Sequence, residues 1–146
     1  MNLHNYEVIS MKTILTATAT ILALAVPALA EGDAEAGEKT FKKCKACHAI
    51  QSADGEDIVK GGKTGPNLYG VIGRVAGSVE GFKYGDGLKD AMAAEFVWTE
   101  EELATYVVDP KAWNDDHGFT AKSKMTFKLK KGGEDVAAYL ATFSEM

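Results

Sequence analysis

The stretch Cys44-Lys45-Ala46-Cys47-His48 decides how this chain is read. It is a C-x-x-C-H run, the spacing of covalent c-type haem attachment. Two cysteines three residues apart on a helical turn share one face, so both sulfurs can meet the two vinyl groups along one haem edge. His48, beside the second cysteine, can then turn its imidazole towards the iron. A thioredoxin-like C-x-x-C would instead open a helix after a strand, within an alternating strand–helix pattern. Here the run closes a helical stretch and no such alternation surrounds it. A structural zinc site wants four Cys or His ligands, and beyond residue 30 the sequence offers only Cys44, Cys47, His48 and His117. The two cysteines also suit a disulfide in an exported protein, so a disulfide or redox pair is the rival to haem attachment.

Residues 11–30 read as a secretory signal peptide. Lys12 supplies the basic start, Ile14 to Val26 the apolar stretch, and Ala28-Leu29-Ala30 the small-residue cleavage site. The apolar stretch is shorter than the roughly 18 residues of a spanning helix and is interrupted by Pro27. Residues 1–10 read as an over-extended start or an overhang. Cleavage leaves residues 31–146 as one small domain, expected in the periplasm, soluble and monomeric, without a membrane anchor.

That domain reads as all-α, with short helices joined by long Gly-rich loops. Asp33 is placed to cap a helix running towards Cys47, with Glu35 and Glu38 early and Lys42, Lys43 and Lys45 late, as the helix dipole prefers. Gly37 and Phe41 share a face, and glycine there predicts a close neighbour. Thr99-Glu100-Glu101-Glu102 reads as a capping box, flanked by Trp98 and Leu103 as a hydrophobic staple. Leu103, Tyr106 and Val107 form its inward stripe, Asp109-Pro110 stops it, and the same pair opens a short helix through Trp113. A last helix is expected from Gly133 to Ser144, with Val136, Tyr139, Leu140 and Phe143 on one face. Between them, residues 52–87 are rich in glycine and show few strand-like alternations. So thin a core predicts that a haem supplies the missing apolar centre.

Function turns on the other side of the iron: an open site suits ligand binding or peroxide chemistry, a filled one electron transfer. Met92, Met125, Met146 and His117 are the candidates. Met146 is terminal. Met92 falls in an expected short helix with Leu88 and Ala91, where core packing is the simpler role. His117 sits in a polar loop, where a solvated histidine is the default. Met125, in the loop Lys124-Met125-Thr126-Phe127, is favoured because a thioether suits iron beside a neutral imidazole.

Three segments match in order: C-x-x-C-H near the mature start, Lys63-Thr64-Gly65-Pro66-Asn67-Leu68-Tyr69-Gly70, and Lys124-Met125-Thr126-Phe127. Together they make residues 32–146 resemble the class I cytochromes c, most closely the larger bacterial cytochrome c2 type. The resemblance implies a small single-domain fold around one haem c, held by thioethers from Cys44 and Cys47. It implies His48 and Met125 as axial ligands, with the Pro66 carbonyl accepting from the histidine's other nitrogen, a bond that fixes ring tautomer and basicity. Arg74, Tyr84, Trp98 and Ser123 match positions that contact the haem propionates, although ordinary packing would also account for Tyr84 and Trp98. Tyr106 matches a haem-pocket tyrosine near the methionine sulfur, and Gly37, Phe41 and Tyr139 match the crossing of the first and last helices. The loops 51–62 and 111–122 are longer than in the mitochondrial type, which favours the bacterial one.

The implied function is a soluble single-electron carrier between a quinol-oxidising cytochrome complex and a photosynthetic reaction centre or terminal oxidase. No nucleophile or paired-carboxylate constellation argues for an enzyme; the rival is a haem enzyme or gas-binding cytochrome with an open sixth site. The net charge of -5 argues against nucleic acid. Residues 39–53 carry Lys39, Lys42, Lys43 and Lys45 without an acid. Residues 117–133 carry Lys122, Lys124, Lys128, Lys130 and Lys131, likewise without one. The two runs flank His48 and Met125, which predicts a lysine rim for docking on membrane redox complexes.

Overall fold

The structure, a computed structural model, describes residues 32–144. The expected overhang at 1–10, the leader at 11–30 and the candidate Met146 lie outside the described residues. Helix α1, Ala34–Phe41, starts where expected: Asp33 Oδ1 accepts from the backbone N–H of Glu35 at 2.9 Å and of Ala36 at 3.2 Å. It ends sooner than the reading that carried it to Cys47. From Lys42 to Cys47 the chain tightens into turns whose N–H groups reach back three residues: Lys43 to Thr40, Cys44 to Phe41, Cys47 to Cys44. Three residues per turn stacks i over i+3 more directly than an α-helix does, so Cys44 and Cys47 still share an edge.

Helix α5, Gly133–Ala141, packs against α1 and against α3, Glu100–Val108. Gly37 is the contact point with α5: a Cβ there would overlap the Asp135 carbonyl, so only glycine lets the two backbones meet. Phe41 and Tyr139 meet at the same crossing with ring centroids 5.6 Å apart. The Asp33 N–H donates to Asp135 Oδ1 at 2.8 Å and ties the first cap to the last helix. Residues 142–144 continue α5 only as turns, three residues short of the expected end.

Thr99 Oγ1 accepts from the Glu102 N–H at 3.2 Å, one half of the expected capping box. Glu102 does not return the bond; its carboxylate is drawn to α4, Pro110–Asp116. That helix is opened by Asp109, whose Oδ1 accepts from the Ala112 N–H at 3.2 Å, and it runs one turn past the expected stop at Trp113. Helix α2, Asp86–Ala93, buries Gly87 and Ala91. Met92 lies one position off that face and is 50% exposed, which corrects its reading as a core residue. The helix ends with Phe96 N–H on the Ala91 carbonyl, and Glu95 takes a left-handed φ of 53° to make the bond.

A small antiparallel hairpin, β1 (Ile50–Gln51) and β2 (Asp57–Val59), sits inside the long loop. Its register pairs Ile50 with Val59 and Gln51 with Asp57, with an irregularity between. Two and three residues leave no alternation to read, so the sequence pattern passed over it. The core joins Phe41, Trp98, Leu103, Tyr106, Trp113, Val136 and Leu140, all nearly fully buried. Each large apolar side chain of this kind contributes roughly 1.5–3 kcal/mol by leaving water.

Candidate functional site

One cavity opens between α3, α5 and the loops. Cys44, Cys47, His48, Pro66, Arg74, Tyr84, Trp98, Tyr106, Ser123 and Met125 all line it. They come from four separate stretches of chain, brought together by the α1–α5 crossing and the loop that follows α4. Phe41, Leu68, Val71, Leu103, Val136 and Leu140 complete mostly apolar walls.

His48 is the best-fixed group. Its Nδ1–H donates to the Pro66 carbonyl at 2.9 Å, which leaves Nε2 uncommitted. Burial pulls its pKa below the ordinary 6.5, partly offset by the Pro66 bond, so the ring is held neutral with a lone pair to give. Gly65 seals the other side: a Cβ there would strike the imidazole, with Nδ1 at 2.6 Å and Nε2 at 2.7 Å. Sequence reasoning named Pro66 for this task and overlooked Gly65, whose signal was its place beside Pro66. Asn67 was missed as well. Its Oδ1 accepts from the N–H of Gln51 at 2.9 Å and of Tyr69 at 3.1 Å, and its Nδ2 donates to the Gln51 carbonyl at 2.8 Å.

Cys44 and Cys47 are not joined in a disulfide; Cys44 is half-buried and Cys47 exposed. Burial, then the neighbouring Cys47, pushes the Cys44 thiol up to about 11. A redox-active C-x-x-C thiol is shifted the other way. Met125 is half-buried, and its N–H donates to Ser123 Oγ at 3.1 Å. Ser123 Oγ also lies 3.3 Å from the Tyr106 hydroxyl. The Met125 loop is anchored at the Lys122 carbonyl, which accepts from Gly87 N–H at 3.1 Å and from Asn114 Nδ2 at 3.2 Å. Asn114 is fully buried.

Arg74 is turned inward. Its guanidinium donates to the Asn67 and Tyr69 carbonyls at 3.1 Å each, and burial lowers its pKa from the ordinary value. The Tyr84 hydroxyl accepts from Val79 N–H at 3.1 Å, and burial raises its pKa. His117 is no solvated loop residue. It stacks on Trp113, donates from Nδ1 to the Trp113 carbonyl at 2.8 Å, and places Nε2 3.1 Å from Glu102. It is absent from the cavity lining, as is Met92. Lys43 from one lysine run and Lys122 and Lys124 from the other line the same cavity, and Lys124 Nζ donates to the Lys83 carbonyl at 2.6 Å. Lys128 is less free than the run suggested, being paired with Asp109 at 2.6 Å.

The donor set fits a covalent haem: two unpaired thiols, a neutral imidazole with one nitrogen open, a thioether and an apolar pocket. No model of a protein family matches the chain. Individual proteins do. Cytochrome c-550 of Paracoccus versutus is 57% identical over 139 residues, spanning 92% of this chain and 90% of its own length. Cytochrome c2 of Rhodobacter capsulatus is 58% identical over 137 residues, spanning 90% of this chain and 98% of its own.

The chain belongs to the cytochrome c2 family.

Solved structures agree. That of cytochrome c2 from Rhodobacter capsulatus superimposes with a TM-score of 0.74 at 58% identity, covering 76% of this chain and 97% of that one. Ferric cytochrome c-550 from Paracoccus versutus gives a TM-score of 0.74 at 59% identity, covering 79% and 100%. As a member of the family this cytochrome carries one covalent haem c and is a monohaem electron carrier with the class I fold. No described helix is long and apolar enough to cross a membrane.

Proposed function

We propose that Cys44 and Cys47 would hold the haem through thioethers and that His48 Nε2 and the Met125 sulfur would ligate its iron. The carrying observation is that these four groups, remote in sequence apart from the C-x-x-C-H run, line one apolar cavity. The bound haem supplies a ferrous–ferric couple for one-electron transfer. Pro66 and Gly65 fix the His48 ring so that its neutral lone pair points to one place, and a His–Met pair holds the potential high. Arg74, Tyr84, Trp98 and Ser123 take up the propionate end, and Tyr106 stands beside the methionine. Filled on both sides, the site carries electrons and does not turn over a substrate.

The cytochrome acts in the periplasm after removal of residues 11–30, as a soluble monomer. It takes electrons from a quinol-oxidising cytochrome complex and gives them to a reaction centre or terminal oxidase. Docking uses the lysines that line the cavity from both runs, which favour encounter with an acidic surface. Met125→Ala tests the ligand set: it should lower the potential and let the reduced protein bind carbon monoxide. Unchanged ligation in that variant, with loss on His117→Ala instead, would replace Met125 by His117.

A further inference from the structure

We propose that the groove between α2 and the segment leading to Met125 binds a diphosphate group, and that the bound anion clamps this segment against α2. The site goes beyond electron carriage and draws on none of the groups assigned to the haem iron.

The groove offers about 620 Å³ of accessible space. One bank is α2 and the chain entering it, with Lys83 and Lys89; the other is the loop 122–124, with Lys122 and Lys124. All four lysines are exposed. Asp86 supplies the one carboxylate in the lining among the described residues. In a chain of net charge -5 this is a local reversal of sign. Lys83 and Lys89 lie in neither lysine run, and Lys43, which lines the large cavity, does not line the groove.

Four cations around one groove repel one another, and the repulsion is relieved only in part. Asp86 Oδ1 lies 3.3 Å from Lys89 Nζ on its own helix, and its Oδ2 lies 3.9 Å from Lys122 Nζ on the other bank. Lys124 Nζ reaches across to the neutral Lys83 carbonyl at 2.6 Å. No carboxylate among the described residues forms an ion pair with Lys83 or Lys124. Negative charge thus crosses the groove once, through Asp86, and serves only two of the four lysines. A monoanion would satisfy one bank. A diphosphate carries two phosphate groups, one for each bank, and a lysine binds phosphate as a point charge that needs no fixed fork.

Bridging the banks has a mechanical consequence. The α2 bank and the segment are tied by single contacts: Gly87 N–H to the Lys122 carbonyl at 3.1 Å, Lys124 Nζ to the Lys83 carbonyl, and the long Asp86–Lys122 pair. Opening the segment parts Lys122 and Lys124 from Lys83 and Lys89 and dismantles the site. An anion that binds only the closed form therefore suppresses opening, by one plus the ratio of its concentration to Kd.

The test titrates the reduced holoprotein with inorganic pyrophosphate by calorimetry at constant ionic strength and follows amide exchange by NMR. Lys83→Gln and Lys89→Gln should each weaken binding roughly two- to fivefold, whereas Lys131→Gln, outside the groove, should not. Asp86→Asn should tighten binding, because the anion no longer shares Lys89 and Lys122 with a carboxylate. At ten times Kd, exchange of the Gly87 N–H should slow about elevenfold. Exchange at Ser52, whose N–H donates within the hairpin to the Glu56 carbonyl at 2.9 Å, should not move. A nucleoside diphosphate titrated alongside identifies the source of the group: tighter binding than pyrophosphate assigns its organic part to Phe82 and Met92 in the lining, and equal or weaker binding assigns the free anion. No heat at millimolar pyrophosphate, or equal losses for Lys131→Gln and Lys83→Gln, would overturn the site. Binding that leaves Gly87 exchange unchanged would overturn the clamp.

Discussion

Replacing Gly65 by alanine adds one methyl group against the imidazole of His48. The glycine does not use a left-handed φ, so the backbone accepts alanine without strain and the whole effect is contact. The new carbon would lie 2.6 Å from Nδ1 and 2.7 Å from Nε2, where 3.4 Å is ordinary contact. Cε1 would lie closer still, so the ring must retreat by about 1 Å, or the loop must carry Gly65 away by as much. Loop retreat is opposed by the Gly65 N–H, which donates to the Cys47 carbonyl at 2.7 Å. Ring retreat works against the Nδ1–Pro66 bond at 2.9 Å. Overpacking of this kind costs about 1–3 kcal/mol, and the weakened hydrogen bond about 1 more. Gly65→Ala should thus destabilise the holoprotein by about 2–4 kcal/mol, or about 8–16 °C in Tm for a domain of this size. Thermal melts by circular dichroism give the stability, and voltammetry gives the potential, which should fall as His48 loses basicity and alignment. Native Tm and native potential together would refute the claim that Gly65 positions the ring.

Glu95 holds a left-handed φ of 53° at the end of α2, so Glu95→Gly should stabilise the protein by about 0.5–1 kcal/mol in denaturant titrations. Asp90 Oδ2 accepts from Thr120 Oγ1–H at 2.6 Å and N–H at 2.8 Å, and these bonds hold its carboxyl below the ordinary 3.8. A lowered folded pKa gives stability that is present above the unfolded pKa and lost as pH falls through the folded one. Asp90→Asn should therefore be less stable than wild type at neutral pH, with the gap closing in strong acid; a gap independent of pH would exclude the carboxylate as its source. Lys43→Glu and Lys45→Glu should slow electron transfer to the membrane partner and flatten its decline with salt, because exposed charges are screened over ~8–10 Å. Lys89→Glu, at a lysine already paired with Asp86, should do less, and equal stopped-flow rates for all three would remove the rim from docking.

Much of the fold was legible where one residue type answers a local need. Asp33, Thr99 and Asp109 each cap the helix their chemistry suggested, and Gly37 marks the crossing of α1 and α5. The residues expected around the haem do line one cavity, because the motif and the family pattern fix their order along the chain. What escaped depended on partners far away in sequence. Glu102 was read as a cap and serves Trp113 instead, a choice made only once α4 folds back on α3. His117 looked solvated for the same reason. Met92 illustrates angular precision: one residue along a helix turns a side chain by about 100°, enough to move it from the core to water. The end of α1 escaped because the tightening from Lys42 to Cys47 breaks no propensity rule.

The carbonyl of Lys122 has a consequence for how this protein opens. The α1–α5 crossing is a broad, interlocked contact, whereas the segment bearing Met125 is held by separate single bonds: Gly87 and Asn114 to that oxygen, Ser123 to Tyr106, Lys124 to the Lys83 carbonyl, and Leu129 N–H to the Val107 carbonyl. Regions with few such attachments open at a fraction of the global unfolding free energy. The segment should behave as its own cooperative unit in hydrogen exchange, swinging away while the terminal helices stay closed. On the ligation proposed above, each such excursion would free one side of the iron, so the lifetime of that hinge, rather than the stability of the helices, would set how well the cytochrome refuses foreign ligands.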